Sequence, residues 1–205
     1  LSVGKFTLLD HLVSKFPKEI DELTIVVRHL GYKIKNYCGD NFHGRKVTYV
    51  EQPPNVHGTF VAVKICEKLF RPGERFFVFY ADDLMSAKAI KECLKYPYAI
   101  VASEVANPTN FGVLELKPDG ALSGILEKPA KAPSNLVLTN TLLLDTKIFG
   151  FNPPLNANGE QYLTYAVCDL AKIEKINVVT TDQWLPIGFP EDLERAESSL
   201  KKHRL

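Results

Sequence analysis

Up to residue 95 the chain alternates short apolar runs with stretches of helical periodicity, and this rhythm restricts the fold more than any other feature. "FTLLDHLVSKF" sets Leu8, Leu9, Leu12, Val13 and Phe16 at helical spacing, with Pro17 as its stop. "ELTIVVRHLG" follows, and its run Leu23–Val27 is short enough for a strand buried on both faces. Tyr32–Cys38 predicts a helix, "RKVTYVEQ" a strand over Lys46–Glu51, and "PPN" a turn. "GTFVAVKICEKLF" predicts a helix with Val61, Ile65 and Leu69 on one face. "RFFVFYADD" predicts a strand over Arg75–Ala81, and "SAKAIKECL" a helix. Such alternation predicts an α/β fold with a mostly parallel sheet flanked by helices.

The second half has a different rhythm. "YAIVASEV", "FGVLELKPDGALSGILEKP" and "LVLTNTLLLD" are strands joined by turns, with "KPDG" a hairpin signal between two alternating runs. "NANGEQYLTYAVCDLAKI" predicts a capped helix, with Asn158 or Gly159 ahead of Glu160. "KINVVTTD" predicts a strand, and "PEDLERAESSLKK" a helix opening at Pro190.

Composition removes several function classes. Lys+Arg number 25 against 24 Asp+Glu, so there is neither a basic field for nucleic acid nor an acidic tail. No apolar run approaches the ~18 residues of a membrane helix. The start, "LSVGKFTLLDHLV", lacks a signal-peptide layout. Cys38, Cys66, Cys93 and Cys168 are far apart and form no C-x-x-C pair, which predicts reduced thiols in a cytoplasmic protein.

Chemistry concentrates at "VFYADDLMS", where Asp82 and Asp83 follow a strand-forming run. Ligands of open α/β sheets sit at the carboxyl ends of strands. Carboxylate oxygens there suit Mg²⁺, which binds through one or two carboxylates plus substrate phosphates. The competing reading is a helix N-cap for "SAKAIKECL", a task for which Ser86 is placed as well or better.

The stretches "GKFTLLDHLVSKFPKEIDELTIVVRHLGYKIKNYCGD", "YVEQPPNVHGTFVAV" and "FFVFYADDL" resemble, in this order, the sugar-phosphate nucleotidyltransferases. That family includes glucose-1-phosphate thymidylyltransferase and its uridylyl and guanylyl relatives. The resemblance continues through "NFGVLELKPDGALSGILEKPAKAPSN", "NGEQYLTYAV" and "WLPIGFPEDLERAE" and covers almost the whole chain. It implies a Rossmann-like sheet carrying a small antiparallel sugar-binding region. It also implies a single domain over 1–205, with a nucleotide-binding half of about 1–95 and a sugar-phosphate half of about 96–205.

The resemblance implies roles for individual residues. Gln52 and Gly58 stand where the family reads the nucleotide base, an amide offering both donor and acceptor and a glycine allowing close approach. His57 occupies a position that is more often apolar in the family. Asp82 matches the metal aspartate, with Ala81 in place of the usual glycine, and Asp83 is a further sugar or supporting contact. Gly112 matches the glycine beside the sugar ring; a strand bulge would also explain it. Glu127 matches the acceptor for sugar hydroxyls, and Lys128 the ammonium on the sugar phosphate. Asn140 and Thr139 lie on the strand implied to line the sugar pocket. Glu160 matches a family "GE" but suits a helix first turn equally well. The implied activity joins a sugar 1-phosphate to a nucleoside triphosphate, with Mg²⁺ as cofactor, in a monomer or homodimer. The alternative is a related domain that binds nucleotide or sugar nucleotide without turnover.

Two departures accompany the resemblance. The family's glycine-rich "GxGTRxxP" signature and following "PKP" lysine do not occur before "LSVGKFTLL". The expectation is about 20–30 residues upstream of Leu1, supplying a strand and a phosphate loop. The other departure is Pro186 in "WLPIGFPEDL", where many relatives carry a second metal aspartate.

Overall fold

The computed structural model of the protein describes residues 1–201. In chain order its elements are β1 (Ser2–Val3), β2 (Phe6–Thr7), α1 (Leu8–Val13), β3 (Glu22–Val27), α2 (Gly31–Cys38), β4 (Asn41–Phe42), β5 (Arg45–Glu51) and α3 (Thr59–Lys64). Then follow β6 (Arg75–Phe79), β7 (Asp83–Met85), α4 (Ala87–Cys93), β8 (Ala99–Glu104), β9 (Gly112–Leu116), β10 (Leu122–Glu127) and β11 (Leu136–Asp145). The chain continues through α5 (Leu163–Ile173), β12 (Asn177–Thr180), β13 (Trp184–Pro186) and α6 (Pro190–Lys201). It divides into two compact units.

The first unit comprises Leu1–Pro17, Arg75–Leu144 and the chain from Ala171 onward. Its main sheet runs β10-β9-β11-β8-β12, and β6 also pairs with β11. β12 is parallel to β8, whereas β11 is antiparallel to both β8 and β9. The Ala99–Ala102 segment of β8 has no exposed surface, so it forms the middle of the core with Ile90 and Cys93 of α4. The "KPDG" turn closes the β9–β10 hairpin, with Lys117 N donating to Ala121 O at 2.8 Å. Gly120 takes a left-handed φ of 78° in that turn, which a glycine adopts without Cβ strain. A smaller pair, β7 and β13, lies under α1 and α6. Val3, Leu8, Leu84, Leu185, Ile187 and Ala196 form its separate apolar cluster.

The second unit comprises Lys18–Glu74 and Asp145–Leu170. β3 and β5 pair in parallel from Glu22↔Lys46 to Val27↔Glu51, and β4 adds antiparallel to β5. Parallel strands need a crossover, which α2 supplies.

Cys38, Cys66 and Cys93 are buried free thiols and Cys168 is a half-buried one. Burial pushes the Cys66 thiol up to about 11 and, with the neighbouring Glu92, the Cys93 thiol up to about 12. No helix among the described residues is long and apolar enough to cross a membrane.

Several elements depart from the sequence expectations. The strand beginning at Arg75 stops at Phe79, so the acidic pair does not end it. A turn at Ala81–Asp82 intervenes, and Asp83 opens the separate strand β7. The helix expected over "GTFVAVKICEKLF" breaks into α3 and a 3-10 turn at Glu67–Leu69, leaving Leu69 exposed. Glu160 lies ahead of α5 rather than in its first turn. Thr59 supplies the hydroxyl that accepts from Leu163 N at 2.8 Å, capping that helix from a distant segment. Ser86 is the N-cap of α4, its hydroxyl accepting from Ala89 N.

Candidate active site

The two adjacent carboxylates have opposite environments. Asp82 is exposed in the turn, and its carbonyl accepts from Ile187 N at 3.0 Å. Asp83 alternates inward and is 5% exposed. Its Oδ2 accepts from Trp184 Nε1 at 3.1 Å and from Asn140 Nδ2 at 3.3 Å. Burial pushes the Asp83 carboxyl up to about 7, with the charge of Asp82 adding to the rise and the two hydrogen bonds opposing it. Asn140 reaches this position through a register shift in β11 between Leu138 and Leu142, and it holds a left-handed φ of 58°. The preceding Thr139 is fully buried, and its hydroxyl donates to Val101 O at 2.9 Å.

Beside this hub the first unit opens a broad cavity of about 1260 Å³. Its lining includes Lys128, Phe111, Trp184, Pro186 and Arg195. Phe111 meets the Trp184 indole edge to face at 5.4 Å between centroids. Asp82 does not itself line the cavity; its carbonyl is tied to Ile187, which lies in sequence between the cavity residues Pro186 and Gly188. Gly112 and Glu127 face one another across β9 and β10. A Cβ at Gly112 would come within 2.9 Å of Ile125 Cγ2, so the strands approach too closely there for a side chain. Lys128 follows directly, with a left-handed φ of 42° and its backbone N–H on Phe111 O at 3.0 Å.

Gln52 and Gly58 lie in the second unit, where they line one shallow depression of about 290 Å³. Arg28, His57, Thr59, Glu160 and Tyr162 complete most of that lining. The Gln52 amide donates to Val56 O at 3.0 Å, leaving its carbonyl oxygen to face other partners. Gly58 has a φ of 112°, and a Cβ there would sit 2.2 Å from Gln161 O. The close approach that glycine permits at this position is therefore made by the Gln161 backbone.

The donor set bears on the implied Mg²⁺. Asp83 is buried and engaged, and Pro186, its partner across β7 and β13, carries no side-chain ligand. Among the described residues no three His, Cys, Asp or Glu side chains group as a metal cage. A single exposed carboxylate at Asp82 suits Mg²⁺, which retains waters and takes phosphate oxygens as its other ligands.

Residues 1–203 match the family described as Nucleotidyl transferase. The chain belongs to that family. Among its relatives is the "Bifunctional protein GlmU" of Methanocaldococcus jannaschii, 30% identical over 196 residues, a match covering 94% of this chain and 46% of that protein. The "Bifunctional sugar-1-phosphate nucleotidylyltransferase/acetyltransferase" of Sulfurisphaera tokodaii is 29% identical over 178 residues, covering 83% of this chain and 42% of that protein. The chain thus spans about half the length of the curated relatives it matches. A solved UDP-glucose pyrophosphorylase in complex with UDP-glucose superposes with a TM-score of 0.84 at 22% identity, over 99% of this chain and 89% of that one. This likeness establishes the nucleotidyltransferase α/β, Rossmann-like fold.

Within this family member, Lys128 and Pro186 line one cavity, Asp82 bonds through its carbonyl to the neighbouring Ile187, and Gln52 and Gly58 line a second depression. Sequence reasoning did not find Trp184 or Arg28. Trp184 carried a signal, since a lone tryptophan bordering the "LPIG" run is a poor candidate for a solvated surface. Arg28 carried a weaker one, as a charge at the carboxyl end of a buried strand.

Proposed function

We propose that the protein transfers a nucleotidyl group from a nucleoside triphosphate to a sugar 1-phosphate, releasing pyrophosphate. The observation that carries this reading is a cavity large enough for a sugar phosphate and lined by Lys128, with the exposed Asp82 bonded through its carbonyl to Ile187, between two cavity residues. A phosphate oxygen of the sugar 1-phosphate attacks the α-phosphorus of the triphosphate. The new P–O bond forms as the α–β bridging bond breaks, and pyrophosphate carries away the electron pair. Lys128 neutralises and orients the sugar phosphate, and Glu127, opposite Gly112, accepts hydrogen bonds from sugar hydroxyls. Asn140, held by the Asp83 hub, would contribute a polar contact to the sugar. Gln52 and Gly58 form the base-reading depression, to which Glu160 and Tyr162 from beyond residue 95 also contribute. Asp82 would hold Mg²⁺, which neutralises phosphate charge when bound.

Pro186 opposite Asp83 supports a second reading, in which the domain binds nucleotide or sugar nucleotide without turnover. Pyrophosphate release, measured over a panel of nucleoside triphosphates and sugar 1-phosphates with and without Mg²⁺, separates the two. The expected result is Mg²⁺-dependent release that Asp82→Asn lowers by at least about a hundredfold, an electrostatic loss of about 3 kcal/mol. Equal release by wild type and variant would remove Asp82 from the mechanism. Nucleotide binding without any release would establish the second reading.

A further inference from the structure

Arg28 directly follows strand β3, and its guanidinium holds the 52–58 loop at two points. Nη2 donates to Pro54 O at 2.7 Å, and Nη1 lies 3.0 Å from His57 Nδ1. A guanidinium has only donors, so Nδ1 is the acceptor in this pair. The ring hydrogen therefore resides on Nε2, and His57 presents a fixed N–H donor. Both residues line the depression that also holds Gln52, and both are exposed, so neither is committed to the core. The loop behind them is fixed on its other side as well. Gln161 N lies 3.4 Å from His57 O, and Phe60 N donates to Gln161 O at 3.0 Å. His57 is thus held by its side chain and by its backbone, with one donor left to offer.

We infer that Arg28 and His57 form a recognition pair that selects bases bearing a carbonyl oxygen on the edge facing His57 Nε2. This deepens, and rests on, the base-reading assignment of the Gln52 depression. A donor that meets a carbonyl of uracil, thymine or guanine forms a hydrogen bond. The same donor, once covered by adenine with its amino group opposite, is left unpaired, and a covered donor without an acceptor costs more than a hydrogen bond gains. Arg28 is a positioning residue here: its two bonds set the loop and the tautomer, and His57 makes the contact. A leucine at position 57 would supply shape without a donor and would leave Arg28 Nη1 facing no acceptor.

Equilibrium titration of the full chain with UTP, dTTP, GTP and ATP, at fixed Mg²⁺, tests the pair. The wild type is expected to bind at least one of the first three more tightly than ATP, by about fivefold to a hundredfold. Histidine can be dissected, because glutamine places a donor near Nε2 while asparagine places an acceptor near Nδ1. His57→Gln retains most of the preference, whereas His57→Asn and His57→Leu bring ATP within about twofold to threefold of the others. Arg28→Met also narrows the preference, because the ring is then free to turn and to carry its hydrogen on either nitrogen. Retention by His57→Asn with loss in His57→Gln would overturn the donor role, as would a wild type that prefers ATP. Gln52→Ala separates this inference from the assignment beneath it. If Gln52→Ala changes the ranking while the Arg28 and His57 variants leave it intact, the pair is wrong and the base site stands. If wild type binds none of the triphosphates, the base site itself falls and the pair falls with it.

Discussion

The two depressions are held by different physics. In the first unit the cavity wall rests on a buried polar hub, where Asp83 joins Trp184 and Asn140 and Thr139 bonds to Val101. In the second unit the side chains at the depression are exposed or half-buried, and the loop carrying them is fastened by backbone bonds together with the exposed Arg28 guanidinium and the Gln52 amide. A buried polar network loses the desolvation cost of every group it leaves unpaired, so its geometry is bound to the stability of the fold. Exposed side chains on such a loop exchange at little cost to stability. The first site is therefore the rigid one, and the second is the one whose specificity can change by single substitutions.

The strongest way to break this contrast is at Gly58, the point where the second site is not tolerant. Gly58→Ala would set a Cβ against Gln161 O at a φ of 112° that L-residues avoid. The expected destabilisation is about 3–5 kcal/mol, from backbone strain plus overpacking. Urea unfolding measures it, and a loss under about 1 kcal/mol would show that the loop yields where the contrast requires it to be fastened.

The next prediction sharpens the first unit's side. The Asp83 carboxyl sits at about 7 when folded, above its ordinary 3.8, so the folded chain keeps a proton that the unfolded chain releases. The stabilisation is complete below the unfolded value and is lost as pH rises through the folded one. The raised value corresponds to a fall of up to about 4 kcal/mol between about pH 4 and pH 7. Asp83→Asn carries no titrating proton and should flatten that part of the profile. Unfolding midpoints of wild type and variant across this range decide it; parallel profiles would show that Asp83 does not titrate in its buried setting.

The smallest expected effect separates binding from folding. Lys128→Met keeps a Cβ at the left-handed φ, and so keeps the backbone strain, while removing the charge. Affinity for a sugar 1-phosphate should fall by about 1.5–3 kcal/mol, with unfolding stability within about 0.5 kcal/mol of wild type. Lost stability with unchanged affinity would place Lys128 in the fold rather than in the site.

The parts legible in the sequence are those set by local spacing. Leu23–Val27 and Lys46–Glu51 fall inside β3 and β5, the "KPDG" hairpin closes where its turn residues stand, and Ser86 caps α4. Period and turn chemistry act over a few residues, so one sequence suffices to read them. What escaped depends on partners far along the chain. Nothing within "YADDL" tells which aspartate turns inward; the answer lies at Trp184 and Asn140, 101 and 57 positions away. The role of Gly58 was equally hidden, because the atom it avoids belongs to Gln161. The gathering of Lys128 and Pro186 about one cavity came into view only through strand pairing.

Trp184 is the only tryptophan in the chain. Its indole N–H bonds to the Asp83 carboxyl, its ring meets Phe111 in an edge-to-face contact, and it lines the cavity proposed for the sugar phosphate. The protein therefore contains its own optical reporter. Emission excited at the indole band comes from this one position, without background from other indoles and without an added dye. Occupancy of the cavity and the loss of a proton from Asp83 both change the polarity around the ring, so each should register as a shift or quench of the same signal.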